Sequence, residues 1–483
     1  MTPCDRMFLL RRLAAAAGCF AVLSAARADD PFNTVNLLPP ASGRPWTGGA
    51  DPCATQAQPG SALTLADVVD RALCANPQTR QAWTATKIQA AELGRARSAG
   101  LPDVTLTGNG GLNRTWPANG GTVRQDNVSA IATVSYLLFD SGARDANLES
   151  ARQLLAAANW SHSATLQSVF LSAIQNYYQL FAARANVNAA AEAEKAGLES
   201  LKAAEFRYRV GTATPADRLQ AQTAYSQTRL TRTRAEGDAR TAAGTLANSM
   251  GLDADTVVDI APPRIEAPDM ATESAVRELV EYARNLRPDL AAADARIQAA
   301  RAQVRAARAA GKPTVSLTGS AGVGDSNTLD SFSTGAIGIS LSFPLFTGYR
   351  NTYEIRSAQA QVEAREADRD VLRSQVALDV WKAWQSLATE RAALANAEDL
   401  LRSALESDNV SRGRYRAGAG TLIDLLNAQS ALASARFQQV QAQYNWHLSK
   451  AALASALGAL DLASLSGSGD TVRIDTSRSP VRR

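Results

Sequence analysis

Residues 206–222 read FRYRVGTATPADRLQAQ and residues 413–429 read GRYRAGAGTLIDLLNAQ. The two lie 207 positions apart and share Arg207/Arg414, Tyr208/Tyr415, Arg209/Arg416, Gly211/Gly418, Thr214/Thr421, Asp217/Asp424, Leu219/Leu426, Ala221/Ala428 and Gln222/Gln429. The match runs well past this phrase. Segment 76–108 answers 287–319, LLFDSGAR at 137–144 answers PLFTGYR at 344–350, and ANSMGL at 247–252 answers ASALGA at 454–459. An internal duplication of this extent dictates one structural plan built twice. Each copy reads helix, strand, strand, very long helix, tight turn, returning helix.

The long helices follow from composition and period. Between Ala143 and Arg209 there is no proline and Gly197 is the only glycine. Leu166, Phe170, Ala173, Tyr177, Leu180, Arg184 and Val187 step by four and three in turn, the spacing of a left-handed coiled-coil seam. In the second copy Val380, Leu387, Leu394 and Leu401 recur every seven residues. Helices are expected over 143–209 and 349–416, each about 100 Å long at 1.5 Å per residue. Returning helices are expected over 215–250 and 421–457, and single helices over 64–99 and 273–310. Two shorter helices stacked end to end match one long one. Their joints fall in the Pro-rich segment 252–269 and at the two chain ends, which together would form a belt midway along the helices.

Four strands are expected, over 103–115, 126–139, 313–324 and 332–346. In the last, Ile337, Ile339, Leu341, Phe343 and Leu345 point one way, while Thr334, Ala336, Gly338, Ser340 and Ser342 point the other. Val128, Ala130, Ala132, Val134, Tyr136 and Leu138 form the corresponding apolar face of the second strand. Apolar on one face and small or polar on the other is the pattern of a lipid-facing barrel strand; a sheet half-buried on the chain's own core shares it. Trp116 and Tyr349 are placed at strand ends, where interfacial aromatics sit. An open edge cannot stand in lipid, so a membrane-spanning chain of this kind must oligomerise. Two copies would give eight strands and a filled interior; three would give twelve and a pore.

The rest of the chain narrows the class. Its 483 residues are 46% hydrophobic and only 6% aromatic, with 50 basic and 46 acidic residues and a net charge of +4. Interspersed charge of both signs speaks against nucleic acid as a partner. Arg11 and Arg12 precede an apolar run, and Ala26-Arg27-Ala28 is a small-x-small cleavage site, so 1–28 reads as a secretory signal peptide. Cleavage before Cys19 would instead give a lipoprotein. The exported chain then keeps Cys53 and Cys74, a possible disulfide in an oxidising compartment. No segment of the exported chain has the roughly 20 apolar residues of a spanning helix. No P-loop, H-E-x-x-H, G-x-S-x-G or C-x-x-C is present. His162 and His447 lie far apart within helices. No catalytic residue, cofactor or metal site is expected, and the chain reads as no enzyme.

Taken together, the duplication, LTLADVVDRALCANP at 63–77, the Gly-x-Pro helix-to-strand joints at 100–102 and 311–313, the LLFDSG and LFTGYR strand-to-helix joints and the doubled turns resemble the TolC family of outer-membrane export channels. The resemblance covers essentially the whole exported length and is nearest to the type I secretion branch that includes the adenylate cyclase toxin exporter. It implies an α-dominated fold with a membrane β-barrel: a homotrimer with a twelve-stranded barrel in the outer-membrane lipid of a Gram-negative cell and a long helical tube in the periplasm. It implies a domain plan of 29–62 as an N-terminal belt segment, 63–251 as first repeat, 252–272 as belt linker, 273–458 as second repeat and 459–483 as C-terminal belt segment and tail.

The partners so implied are a periplasmic adaptor (membrane fusion protein) and an inner-membrane ABC or RND transporter. The cargo would be a secreted protein or small molecules and drugs. Carried over residue by residue, Arg207, Tyr208, Val210, Gly211 and Thr212, with Arg414, Tyr415, Ala417, Gly418 and Ala419, form the adaptor-docking rim. Asp424 matches an acidic ring at the periplasmic constriction, and Asn427 stands where a second Asp is common. Gly420 replaces an Arg found in many members, which implies a looser closed state. The rival reading is a periplasmic adaptor-like coiled-coil protein, which gives no reason for the four strands.

Overall fold

The computed structural model describes residues 30–40, 62–116, 118, 120–262, 276–327 and 331–460. The signal peptide, Cys19, Cys53 and most of the expected tail lie outside them. The chain divides into two units. One comprises residues up to 38, 87–151 and 309–345; the other comprises 39–86, 152–308 and 346 onward.

The elements are α1 (Leu65–Ala75), α2 (Pro77–Ser98), β1 (Asp103–Thr115), β2 (Val123–Phe139), α3 (Ala143–Arg209), α4 (Pro215–Ser249), α5 (Val276–Leu286), α6 (Pro288–Ala309), β3 (Thr314–Ser326), β4 (Phe332–Ser342), α7 (Arg350–Arg416) and α8 (Leu422–Ala456). Both long helices have 67 residues and both returning helices 35. The order of elements in the first copy repeats in the second.

The first unit is built on one antiparallel sheet in the order β1-β2-β3-β4. Its register aligns the faces across all four strands. Val104 pairs with Val134 and Leu106 with Ala132. Tyr136 pairs with Leu317 and Ala130 with Val323. Leu317 pairs in turn with Ile339, and Val315 with Leu341. These residues share one face by the two-residue period of a strand. The opposite face is mostly small and polar, with Thr105, Thr107, Asn109, Thr133, Ser135, Ser316, Thr318, Ser320 and Ser340 beside Ile131 and Leu137, and the Ser316 and Ser340 hydroxyls bond across it at 2.7 Å. The apolar face is uncovered: Ile337 is 82% exposed, Ile339 71% and Leu112 78%.

At the entry to α3, buried Asp140 accepts from the amides of Gly142 and Arg144 and from the Arg144 guanidinium. Ser141 and Gly142 both take positive φ there, and Ser141 donates to the Pro313 carbonyl at 2.9 Å. In the second copy Gly348 and Tyr349 take the positive φ. Tyr349 is therefore the residue before α7, seven residues past the end of β4, and not a strand end. Strand β4 stops at Ser342, short of the expected 346, because Pro344 follows and cannot donate to a ladder.

The second unit takes its core from the expected seam. Leu166, Phe170, Ala173, Tyr177 and Leu180 are all buried, against Val68, Val69, Leu73, Leu246 and Met250. Val376 and Val380 of α7 form a second cluster with Leu279, Leu290 and Leu453. Leu63, Val258, Ile260 and Leu460 join the first cluster. Leu63 and Ile260 form a parallel bridge, so pieces from three separate stretches of chain meet there. Arg184 fixes this linker by pairing with Asp259 at 2.8 Å and donating to the Val258 carbonyl. Tyr177 donates to the Ala261 carbonyl. Its phenol is pushed up to about 12, chiefly by burial and then by Asp67, so it stays a neutral donor.

Two single helices expected from sequence are each broken in two. Asn76 is extended, with ψ of 129°, between α1 and α2, and Arg287 separates α5 from α6. Pro77 and Pro288 supply the cause: a proline disfavours helical backbone in the residue before it. The breaks receive the ends of the returning helices. Gly251, at φ 71°, lies so close to Ala75 that a Cβ would sit 2.5 Å from its carbonyl oxygen, and a Cβ on Gly458 would sit 3.2 Å from the Cα of Arg287. Asn76 donates to the Ser249 carbonyl, the last residue of α4. Arg287 likewise reaches the Ala456 carbonyl at the end of α8, at 3.5 Å.

Candidate functional site

The repeated phrase builds two helical hairpins, α3–α4 and α7–α8. In the first hairpin Gly211 donates to the Tyr208 carbonyl and Thr212 to the Arg207 carbonyl, at 3.1 and 2.9 Å. In the second, Gly418 donates to Tyr415 and Ala419 to Arg414, at 3.2 and 2.9 Å. This pairing of bonds closes a helix C-terminus on a residue with left-handed backbone. Gly211 and Gly418 take φ of 78° and 75°, which glycine alone adopts without penalty. Thr214 and Thr421 then cap the returning helices, and Asp217 and Asp424 close the reciprocal capping boxes. The acids thus have a local role in both hairpins. The Thr421 side chain and then its amide hold the Asp424 carboxyl below the usual carboxylate range; the Thr214 amide and then its side chain do the same for Asp217.

The Arg and Tyr of the phrase do something the turn does not need. Arg207 crosses from the first hairpin to the second, where it donates to the Tyr415 carbonyl and lies 4.2 Å from the centre of the Tyr415 ring. Beneath it Leu201, Ala204 and Ala221 of the first hairpin pack on Tyr415, Leu422 and Leu425 of the second. Ser200 and Gln429 bond across the same joint. The equivalent residues differ sharply. Tyr415 is 6% exposed, while Tyr208 is 38% exposed and has Arg218 over its ring at 5.2 Å. Tyr415 belongs to the joint and not to an accessible rim. Tyr208, Val210, Gly211, Thr212, Arg414, Ala417, Gly418 and Ala419 are all exposed, and Arg207 is half-buried.

Asp424 and Asn427 stand one helical step apart on the exposed side of the first turns of α8. A polar cleft of about 1150 Å³ runs between the hairpins, lined by Glu192, Lys195, Asp408, Arg412, Arg416 and Gln429 among others. Asp408 is buried there and pairs with Arg412 at 2.8 Å, and Arg412 reaches Glu199 at 3.6 Å. These are ion pairs along a helix seam. Among the described residues no cluster of His, Cys, Asp or Glu is placed to hold a metal, and no helix is long and apolar enough to cross a membrane. His447 stacks on Tyr178, and His162 is buried in α3. Cys74 is disulfide-bonded.

Sequence reasoning placed the turns and missed the joint. The recurrence of Arg and Tyr was its only signal, and it could not say which Arg meets which Tyr. The Asn76, Arg184 and Arg287 contacts had no periodic signature at all.

Comparison with known proteins decides the class. The family model described as outer membrane efflux protein matches residues 68–252 and 279–459, one span in each repeat. The chain belongs to the outer membrane efflux protein family. It is 32% identical to protein CyaE of Bordetella pertussis over 420 residues, covering 86% of this chain and 88% of that one. It is 26% identical over 426 residues to the alkaline protease secretion protein AprF of Pseudomonas aeruginosa, covering 84% and 86%. The fold is that of the Campylobacter jejuni CmeC outer membrane channel, at a TM-score of 0.72 and 19% identity, over 85% of this chain and 92% of that one. As an outer membrane efflux protein the chain is an export channel of the outer membrane and not an enzyme.

Proposed function

We propose that three copies of this chain assemble into a passive, gated duct. The observation that carries this is the sheet: one face apolar and uncovered, the other mostly small and polar, with β1 and β4 each paired on one side only among the described residues. Twelve strands would close the edges, turn the apolar face to lipid and enclose a wet lumen. The six hairpins of three chains would form a ring. Asp424, on the exposed side of α8, would contribute three carboxylates to its narrowest point, with Asn427 beside them, and so favour cations.

Around that ring the exposed turns, with Val210, Gly211 and Gly418 among them, would receive a periplasmic adaptor. The adaptor would couple the duct to an inner-membrane ABC or RND transporter, since the chain carries no nucleotide-binding motif of its own. Type I protein secretion is the favoured cargo route over small-molecule efflux, supported by the relative AprF, whose name states alkaline protease secretion. Cys53 would be the disulfide partner of Cys74.

Single-channel conductance in a planar bilayer tests this. Wild-type protein is expected to form cation-selective pores, with selectivity falling in Asp424→Ala. Pores indifferent to Asp424 would remove the carboxylate ring and keep the duct. No pore from folded, membrane-extracted protein would overturn the duct itself.

A further inference from the structure

The two hairpins carry the same Arg and Tyr, yet within one chain Arg207 meets Tyr415 while Tyr208 has Arg218 of its own hairpin over its ring, at 5.2 Å. Arg207 of the first hairpin covers Tyr415 of the second; Arg414 of the second and Tyr208 of the first are both exposed. Arg414 makes a long 3.4 Å bond to the Ala419 carbonyl of its own turn, and its charge also acts on Asp424. Around Tyr208 the first hairpin also leaves Phe206, Val210 and Leu219 more than half exposed. A ring built from these hairpins alternates first and second, so every second hairpin must also meet the first hairpin of the next chain.

Resting on the trimeric reading above, we propose that each Arg414 stacks over Tyr208 of the partner subunit and donates to its carbonyl. This contact repeats between chains the Arg207–Tyr415 joint seen within one. The site is incomplete in a single chain, where Arg207–Tyr415 is the pair that forms.

The two kinds of joint then differ in strength, and the sequence says how. Within the chain the arginine closes over Leu422 and Leu425, packed on Leu201 and Ala204. At the positions of Leu422 and Leu425 the first hairpin carries Pro215 and Arg218. The joint between chains therefore lacks the leucine pair of the inner one and rests on a cation over an aromatic ring, an attraction that desolvation strengthens. It is the joint that parts first when the ring opens, while each chain's own two hairpins move together.

Cross-linking tests the pairing. Full-length protein carrying Tyr208→Cys with Arg414→Cys is purified in detergent, treated with a short bismaleimide and run on a denaturing gel, alongside Arg207→Cys with Tyr415→Cys. The mass of each untreated sample is measured in parallel. The first pair is expected to give dimer and trimer bands and the second only monomer. A three-chain mass with only monomer bands from the first pair would overturn the joint and leave the channel intact. A mass other than three chains would overturn the trimer as well. A second readout guards against damage from the cysteines: Tyr208→Phe should keep the wild-type trimer's resistance to dissociation in detergent, and Tyr208→Ala should lose it. Equal behaviour of Phe and Ala would also overturn the joint.

Discussion

Ile339 and Ser340 are neighbours on β4 with opposite fates. Ile339 is 71% exposed on the apolar face, paired with Leu317; Ser340 faces the other side and bonds Ser316. Ile339 lies two residues from Ile337, the middle of the strand, hence about 7 Å along it and within an apolar band about 25 Å tall. An arginine on the lipid face near the midplane costs about 2–4 kcal/mol, so three chains would lose about 6–12 kcal/mol per barrel. Ser340→Arg loses one hydroxyl contact, about 0.5–1.5 kcal/mol per chain, and keeps its charge in water. The assay is the fraction of each variant recovered from outer membranes as intact oligomer. Ile339→Arg should be nearly absent and Ser340→Arg near wild type, with its single-channel conductance altered. Equal recovery, or the reverse order, would show that the faces are misassigned.

Other outcomes follow from single contacts. Tyr177→Phe leaves the Ala261 carbonyl without its buried donor and should cost about 1–3 kcal/mol in chemical unfolding; no loss would mean that the linker is not held there. Gly251→Ala forces a Cβ onto the Ala75 carbonyl at φ 71° and should cost at least about 1–2 kcal/mol, where Gly237→Ala, with open space around it, should be neutral or stabilising. The Asp424 carboxyl is held below the usual range, so its cap is fully present above the unfolded value and is lost only as pH falls through the lower folded one. Cation selectivity should accordingly be unchanged between pH 7 and pH 5 and fade only below about pH 4. Fading between pH 7 and pH 5 would assign the selectivity to another group.

Much of this fold was legible because it is repetitive and periodic. The 3.5-residue seam of Leu166, Phe170, Ala173, Tyr177 and Leu180 is the core of the second unit. The two-residue alternation of Ile337, Ile339 and Leu341 is a face of the sheet. Gly211 and Gly418 carried their turns in their identity, since few other residues reverse a helix so tightly. The helix breaks were missed because Pro77 and Pro288 are also acceptable at the first turn of a helix, and only the tertiary fit of Gly251 and Gly458 shows that a new helix begins there. The joint was missed for a different reason. Duplication predicts equivalence, whereas the structure buries Tyr415 against the first hairpin and leaves Tyr208 exposed.

The number of chains in the detergent-extracted particle, measured by its mass, tests the duct most directly. Four strands per chain require three chains for a twelve-stranded barrel, and a three-chain mass is expected. A stable particle of one, two or four chains would contradict it.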